Sequence, residues 1–303
     1  MGRLVVILIL ALSLGGCAGQ ALERRDGYSV DHRHTATSHS SRVRHLVIHY
    51  TDAGEAESLR ALTGPRVSSH YLIPQPEGGG LAPVYQLVSE TRRAWHAGAS
   101  SWNGRENIND TSIGIEIVNT GPNGRFADLE AGEPLGWAPF HNDQITTLIA
   151  LAKDIVSRHG ITPTAVVSHA EIAPTRKIDP GPAFPWQRLH QAGIGPWPDV
   201  DRVACYRQRF ETSPPSRAHL KRALTAWGFA ITTNGIIDEA TRGALRAFQM
   251  RYRPSHYRGL PDTETAARLW ALLEEYRPER LPLLSSKNII TSPPKCNTAF
   301  GEP

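Results

Sequence analysis

The chain has only three cysteines, Cys17, Cys205 and Cys296, among 303 residues. No two form a Cys-x-x-Cys pair, so a structural thiolate metal site has no support. No Gly-x-Ser-x-Gly elbow occurs either. Ser168 beside His169 therefore does not make a serine hydrolase of the α/β type. The net charge is only +4, with no basic run, which argues against nucleic acid as a partner. The apolar run Leu4 to Leu14 is too short to span a bilayer comfortably as a permanent helix. What remains is an ordinary globular composition, 40% hydrophobic and 20% charged. The length suffices for one large or two ordinary domains.

Arg3 before the apolar run gives residues 1–16 the shape of a secretory signal. The run closes on Leu14-Gly15-Gly16-Cys17, similar to a bacterial lipobox, in which Cys17 is the acylated residue. Ala18 follows where lipoproteins kept in the inner membrane usually carry Asp, which by resemblance directs the chain to the outer membrane. The expected location is the outer membrane of a Gram-negative bacterium, facing the periplasm, with outer-membrane lipid as a partner. In that compartment Cys205 and Cys296 are either a disulfide or two free thiols. Residues 17–41 are polar, without apolar periodicity, and read as a flexible tether.

Strand signals then alternate with a helix. "RHLVIHYT", "SSHYLI", "PVYQLV" and "TAVVSH" are β-rich runs. In "SIGIEIVN", Ile113, Ile115 and Ile117 share one face, while Gly114 and Glu116 share the other. Gly114 beside Glu116 suggests a surface open to a substrate. "NDQITTLIALAKDIVSRHG" has an amphipathic stripe, with Asn142 or Asp143 as the expected cap and Gly160 as the stop. Interleaved strands and helices predict an α/β domain over residues 42–199. Residues 200–214 read as a linker. Three helices follow within residues 215–277, two of them with Asp at the cap position. Residues 278–303, rich in proline, read as a disordered tail.

Two of the apolar strands end in histidine, His49 and His169. After His169 comes a loop punctuated by Pro174, Pro180 and Pro182, through which no helix can run. It carries Lys177 and Asp179. Two imidazoles and a carboxylate make a three-ligand zinc set with one position open, the catalytic arrangement. Nitrogen ligands favour zinc over a harder ion. Spacing alone does not single out this triplet, because 13 histidines allow many others. His45, on the strand face of His49, is either a rival ligand or a polar strand start.

"LVIHYT", "SSHYLI", "VYQLVSETRRAWHAGASSWNGRENINDTSIGIEIVN", "VVSHAEIAPTRKIDPGPAFPW" and "GIGPWPD" together resemble the zinc N-acetylmuramoyl-L-alanine amidases of the amidase-2 type. The resemblance covers residues 42–199, with the motifs in order. It implies a mixed central β-sheet flanked by helices, the fold shared with peptidoglycan-recognition proteins. It implies Zn2+ held by His49, His169 and Asp179, with Glu116 activating water and Lys177 stabilising the tetrahedral intermediate. Trp95, His96 and Asn109 are the substrate contacts it suggests, although Trp95 and Trp102 could instead be core. "GIIDEATRGALRAFQ" and "GLPDTETAARL" resemble a three-helix peptidoglycan-binding domain. The implied activity is hydrolysis of the bond between N-acetylmuramic acid, or its anhydro form, and L-alanine by a monomer acting on peptidoglycan and muropeptides. Two rivals stay open: a non-catalytic peptidoglycan-recognition lipoprotein, and a zinc hydrolase cutting within the stem peptide.

Overall fold

The structure is a computed structural model that describes residues 22–76, 78, 80–124 and 135–284. The chain divides into two compact units between Ser41 and Arg42. In the first, β1 (Leu22–Arg25) pairs antiparallel with β2 (Tyr28–Asp31). Asp26 and Gly27 form the turn, and Gly27 sits at φ 78°, where a Cβ would be strained. The segment expected to be a flexible tether thus contains a hairpin. An Asp-Gly pair is itself a strong hairpin signal, but the flanking strands carry no apolar stripe to mark them as strands. Residues 1–16, expected to be a secretory signal, and Cys17 lie outside the described residues.

The second unit is built on a five-stranded mixed sheet. Its strands are β3 (His45–Tyr50), β4 (Tyr71–Ile73), β5 (Tyr85–Gln86), β8 (Ser112–Ile117) and β9 (Val166–Ser168). The spatial order is β5-β4-β8-β3-β9, with β5 antiparallel at one edge and the other four parallel. A hairpin, β6 (Ser101–Trp102) and β7 (Arg105–Glu106), stands apart in the long loop before β8. Helix α1 (Glu55–Leu62) follows β3.

One sheet face packs on helix α2 (Asn142–His159). Ile113, Ile115 and Ile117 meet Ile145, Leu148, Ala152 and Ile155 there, as the two periodicities predict. The helix is capped at His141, whose N–H donates to Gln144 Oε1 at 3.2 Å. Asn142 and Asp143 therefore lie in the first turn rather than at the cap. The same periodicity of 2 leaves Val47, His49, Gly114 and Glu116 on the opposite face.

At Val47 and Val167 that opposite face is covered by the C-terminal helices. Val47 and Val167 share a core with Trp102, Tyr206, Trp227 and Phe248. Residues expected to be a linker form helix α5 (Val200–Thr212), following the short helices α3 (His169–Ile172) and α4 (Trp186–Gln191). Val203, Tyr206 and Phe210 are its buried stripe, and Tyr206 O–H donates to Glu274 Oε2 at 2.5 Å. The five charged residues in "VDRVACYRQRFETS" hide this narrow stripe from a reading of composition. The helical unit is therefore larger than three helices. It continues with α6 (Arg217–Trp227), α7 (Glu239–Tyr252) and α8 (Thr263–Tyr276). Asp238 and Asp262 cap the last two, accepting from Thr241 N and Thr265 N, as their positions predict. The tail expected from residue 278 begins with a 3-10 turn, Pro278–Leu284. Cys205, on α5, is disulfide-bonded, while Cys17 and Cys296 lie outside the described residues.

Candidate metal centre and cleft

Parallel strands present their carboxyl ends together, and a crevice forms just beyond them. Register places His49 opposite Glu116 on β3 and β8, and Ile48 opposite Ser168 on β9. His49, Glu116 and His169 therefore converge at one sheet edge. Asp179 is brought back by a backbone hydrogen bond from Ala170 N to its carbonyl at 3.0 Å. The result is a cluster of His49, His169 and Asp179, all buried, whose ligand atoms lie within 4.8 Å of one another.

The donor atoms meet more closely than that bound. His49 Nδ1 lies 3.0 Å from His169 Nδ1 and 3.0 Å from Asp179 Oδ2. His169 Nδ1 lies 3.1 Å from the same oxygen. A tetrahedral ion with bonds of about 2.0–2.1 Å would give ligand edges of roughly 3.3 Å. Two ring nitrogens and a carboxylate oxygen form a triangle only slightly tighter than that, which a metal ion would open by a few tenths of an ångström. Burial, and then the charge of His169, lower the His49 pKa to about 4. Its neutral ring keeps a lone pair for a metal. Burial raises the Asp179 carboxyl, but the two histidines outweigh it and hold the group well below the carboxylate range. The residues thus fit a divalent metal ion.

The outer nitrogens of both rings are also engaged. His169 Nε2 faces the Ala97 carbonyl at 3.2 Å. His49 Nε2 faces His96 Nδ1 at 3.0 Å, His96 Nε2 faces Ser112 Oγ at 3.0 Å, and Ser112 O–H donates to the Ile108 carbonyl at 2.7 Å. If each Nδ1 is kept for a metal, each Nε2 carries the proton, and the chain His49–His96–Ser112 is satisfied in one direction only.

Above the cluster opens a cleft of about 690 Å³, lined by Trp95, His96, Glu116 and Lys177 among others. Glu116 Oε1 lies 3.9 Å from His49 Nδ1, and Glu116 Oε2 is buried with no protein partner. Burial, and then the charge of Asp179, push the Glu116 carboxyl well above its ordinary range, while Lys177 opposes this.

The expected substrate contacts divide. Trp95 is exposed at the cleft and stacks under Arg93 at 4.2 Å. Trp102 is core. His96 borders the cleft but is buried and committed to His49 and Ser112. Asn109 does not line the cleft: its Oδ1 accepts from His96 N at 3.1 Å and Ala97 N at 2.8 Å. A buried amide oxygen with two backbone donors fixes a loop instead of reading a substrate. His45 is engaged by Thr111 Oγ1 at 3.2 Å and is not in the cluster.

Gly114 also differs from expectation. A Cβ there would fall 2.5 Å from the His96 ring, so the glycine admits histidine, not substrate. Gly114→Ala should displace that ring and weaken metal binding about tenfold or more. Competition with a chromophoric chelator measures this, and unchanged affinity would refute the relay. Arg176 carries no distinguishing signal in the sequence. Its Nη2 donates to the carbonyls of Ala97 and Ala99 at 2.5 and 2.7 Å, tying the Asp179 loop to the loop before β8.

Comparisons with known proteins agree with this architecture. Residues 39–182 match the family model of N-acetylmuramoyl-L-alanine amidase, and residues 213–269 match that of a peptidoglycan binding domain. The chain is 45% identical over 280 residues to the N-acetylmuramoyl-L-alanine amidase AmiD of Escherichia coli, covering 91% of this chain and 99% of that protein. The solved complex of AmiD from E. coli with anhydro-N-acetylmuramic acid-L-Ala-D-γ-Glu-L-Lys matches with a TM-score of 0.75 at 43% identity, over 84% of this chain and 98% of that one. AmpDh3 from Pseudomonas aeruginosa, solved with anhydromuramic pentapeptide, matches with a TM-score of 0.75 at 43% identity, over 82% and 98%.

Proposed function

The chain belongs to the N-acetylmuramoyl-L-alanine amidase family, and from that premise we propose that it hydrolyses the amide bond between N-acetylmuramic acid, or its anhydro form, and L-alanine in peptidoglycan and muropeptides. The observation that carries this reading is the meeting of His49 Nδ1, His169 Nδ1 and Asp179 Oδ2 at 3.0–3.1 Å beneath a cleft. These three residues would hold Zn2+, which supplies Lewis acidity to polarise a carbonyl and acidify water. Glu116, with one carboxylate oxygen unpartnered, takes a proton from the attacking water and delivers it to the departing alanine nitrogen. Lys177 faces the developing oxyanion of the lactyl carbonyl. One C–O bond forms, the C–N bond breaks, and the products are a lactyl carboxylate and a free amino terminus.

Mass spectrometry of muropeptides digested by a soluble form tests this. Free stem peptide beginning at L-alanine is the expected product. Cleavage within the stem peptide would replace the reading with the rival hydrolase, and no cleavage would leave a recognition protein.

The proposed location is the outer membrane, facing the periplasm, through acylated Cys17. Its support is the run Leu14-Gly15-Gly16-Cys17 with Ala18 behind it. Cys17→Ser should release the protein from the outer membrane or leave its signal uncleaved, because acylation alone ties residue 18 onward to lipid. Unchanged fractionation and electrophoretic mobility would count against it.

A further inference from the structure

Helix α7 is buried on almost every side. Every residue from Gly243 to Tyr252 is buried, including Arg246, Gln249 and Arg251. A helix buried all round is normally apolar. Of these polar residues, Gln249 is bonded to Gly259, Leu260 and Thr265, while Arg251 is turned toward the loop that runs from His169 to Asp179, and three contacts join the helix to that loop and the strand before it. Arg251 Nη1 donates to Glu171 Oε2 at 2.7 Å and to the Val166 carbonyl at 2.9 Å. The Arg251 and Glu171 side chains are 2% and 0% exposed, so this pair is fully withdrawn from water. A Cβ on Gly243 would lie 2.5 Å from the Pro174 carbonyl oxygen, so the helix backbone runs directly against the middle of the loop. Met250 packs on Ile178, the residue between Lys177 and Asp179.

Glu171 is more than an anchor point. Its Oε2 also accepts from Ser168 N at 2.9 Å and Ser168 Oγ at 3.0 Å. Ser168 Oγ in turn accepts from Glu171 N at 3.0 Å. This reciprocal cap starts α3, whose first residue is His169. A helix of one turn cannot hold itself in place. The Arg251 guanidinium, lying 3.9 Å over the Trp186 ring, is clamped from the other side.

We infer that helix α7, within the peptidoglycan-binding module, is a structural part of the active site: it holds the His169–Asp179 loop in its metal-binding geometry, with Arg251 as a positioning residue acting through Glu171. This rests on the metal reading proposed above, and gives the module a role separate from retaining a polymer. Removing Arg251 leaves Glu171 as an uncompensated buried carboxylate. A carboxylate that has lost its partner moves, and that movement disturbs the cap in front of His169. Small displacements of a metal ligand carry large consequences in affinity and rate.

The test uses the full chain loaded with zinc. Arg251→Met and Arg251→Lys are compared with Lys221→Met, a buried lysine of the same module whose hydrogen bonds run to Thr232, Asn234, Ile236 and Asp238. Zinc release to a chelator, thermal unfolding, and kcat and KM on a soluble muropeptide are measured. Arg251→Met should release zinc about 10–100-fold faster and lose kcat with little change in KM. Arg251→Lys should fall between it and the wild type, while Lys221→Met should unfold at lower temperature yet release zinc at the wild-type rate. A folded Arg251→Met with wild-type release and kcat overturns the inference, as does equal acceleration in Lys221→Met. If Arg251→Met does not fold, wild-type zinc release by Arg251→Lys overturns it. A wild-type chain that holds no zinc defeats the metal reading and this inference with it. A loaded, active wild type indifferent to Arg251 defeats this inference alone.

Discussion

His169→Ala should abolish activity and leave the folded chain with little zinc, where the wild type holds about one ion. The substitution removes one of the three donor atoms that lie 3.0–3.1 Å apart. It also removes one of the two donors to the Ala97 carbonyl, which His169 Nε2 faces at 3.2 Å and Arg176 also reaches. Two remaining protein ligands are too few for a tightly held catalytic zinc, which ordinarily has three. Asp179→Asn separates charge from shape. It keeps an oxygen in the same place but removes the negative charge that balances the cation, so zinc affinity should still fall. Elemental analysis of the dialysed proteins, beside hydrolysis of a defined muropeptide, measures both effects. Full zinc occupancy in His169→Ala would remove His169 from the ligand set and sink the assignment.

Glu116→Ala and Lys177→Ala should behave differently, keeping zinc but losing turnover. Neither belongs to the predicted ligand set, and both line the cleft above it. Water activation and oxyanion stabilisation are strongest in the transition state, so the loss should fall chiefly on kcat. It should be of order 10²–10⁴-fold for Glu116 and of order 10²–10³-fold for Lys177. Lys177→Arg should rescue poorly, since a planar fork replaces a compact charge. Single-turnover kinetics with metal content separates the roles. A Lys177→Ala enzyme with normal kcat and a raised KM would make Lys177 a substrate-binding cation. A Glu116→Ala protein that loses its zinc would make Glu116 a ligand instead of a base.

Much of the site is legible in short stretches of the chain. Alternation in "SIGIEIVN" puts Glu116 opposite the face that packs on α2, because strand side chains alternate regardless of what surrounds them. The prolines after His169 stop a helix and leave a loop, again by local sterics. Helix α5 was not legible, since its buried stripe of Val203, Tyr206 and Phe210 is thin and emerges only when α8 is present to cover it.

Asn109 and Gly114 show what local reading cannot supply. Both stand where the family's cleft was expected, yet one holds the backbone of residues 96 and 97 and the other makes room for a ring. Each role depends on what lies across space. The sequence by itself determined the strands of the central sheet, which of their faces are apolar, where histidines stop them and where the loop after His169 must turn, because each follows from a few consecutive residues. Only the tertiary structure decided that His49 meets Asp179 across 130 positions and that Arg251 reaches Glu171 across 80. Hydrogen bonds and buried ion pairs form wherever packing brings groups within about 3 Å, and a one-dimensional pattern carries no record of that distance.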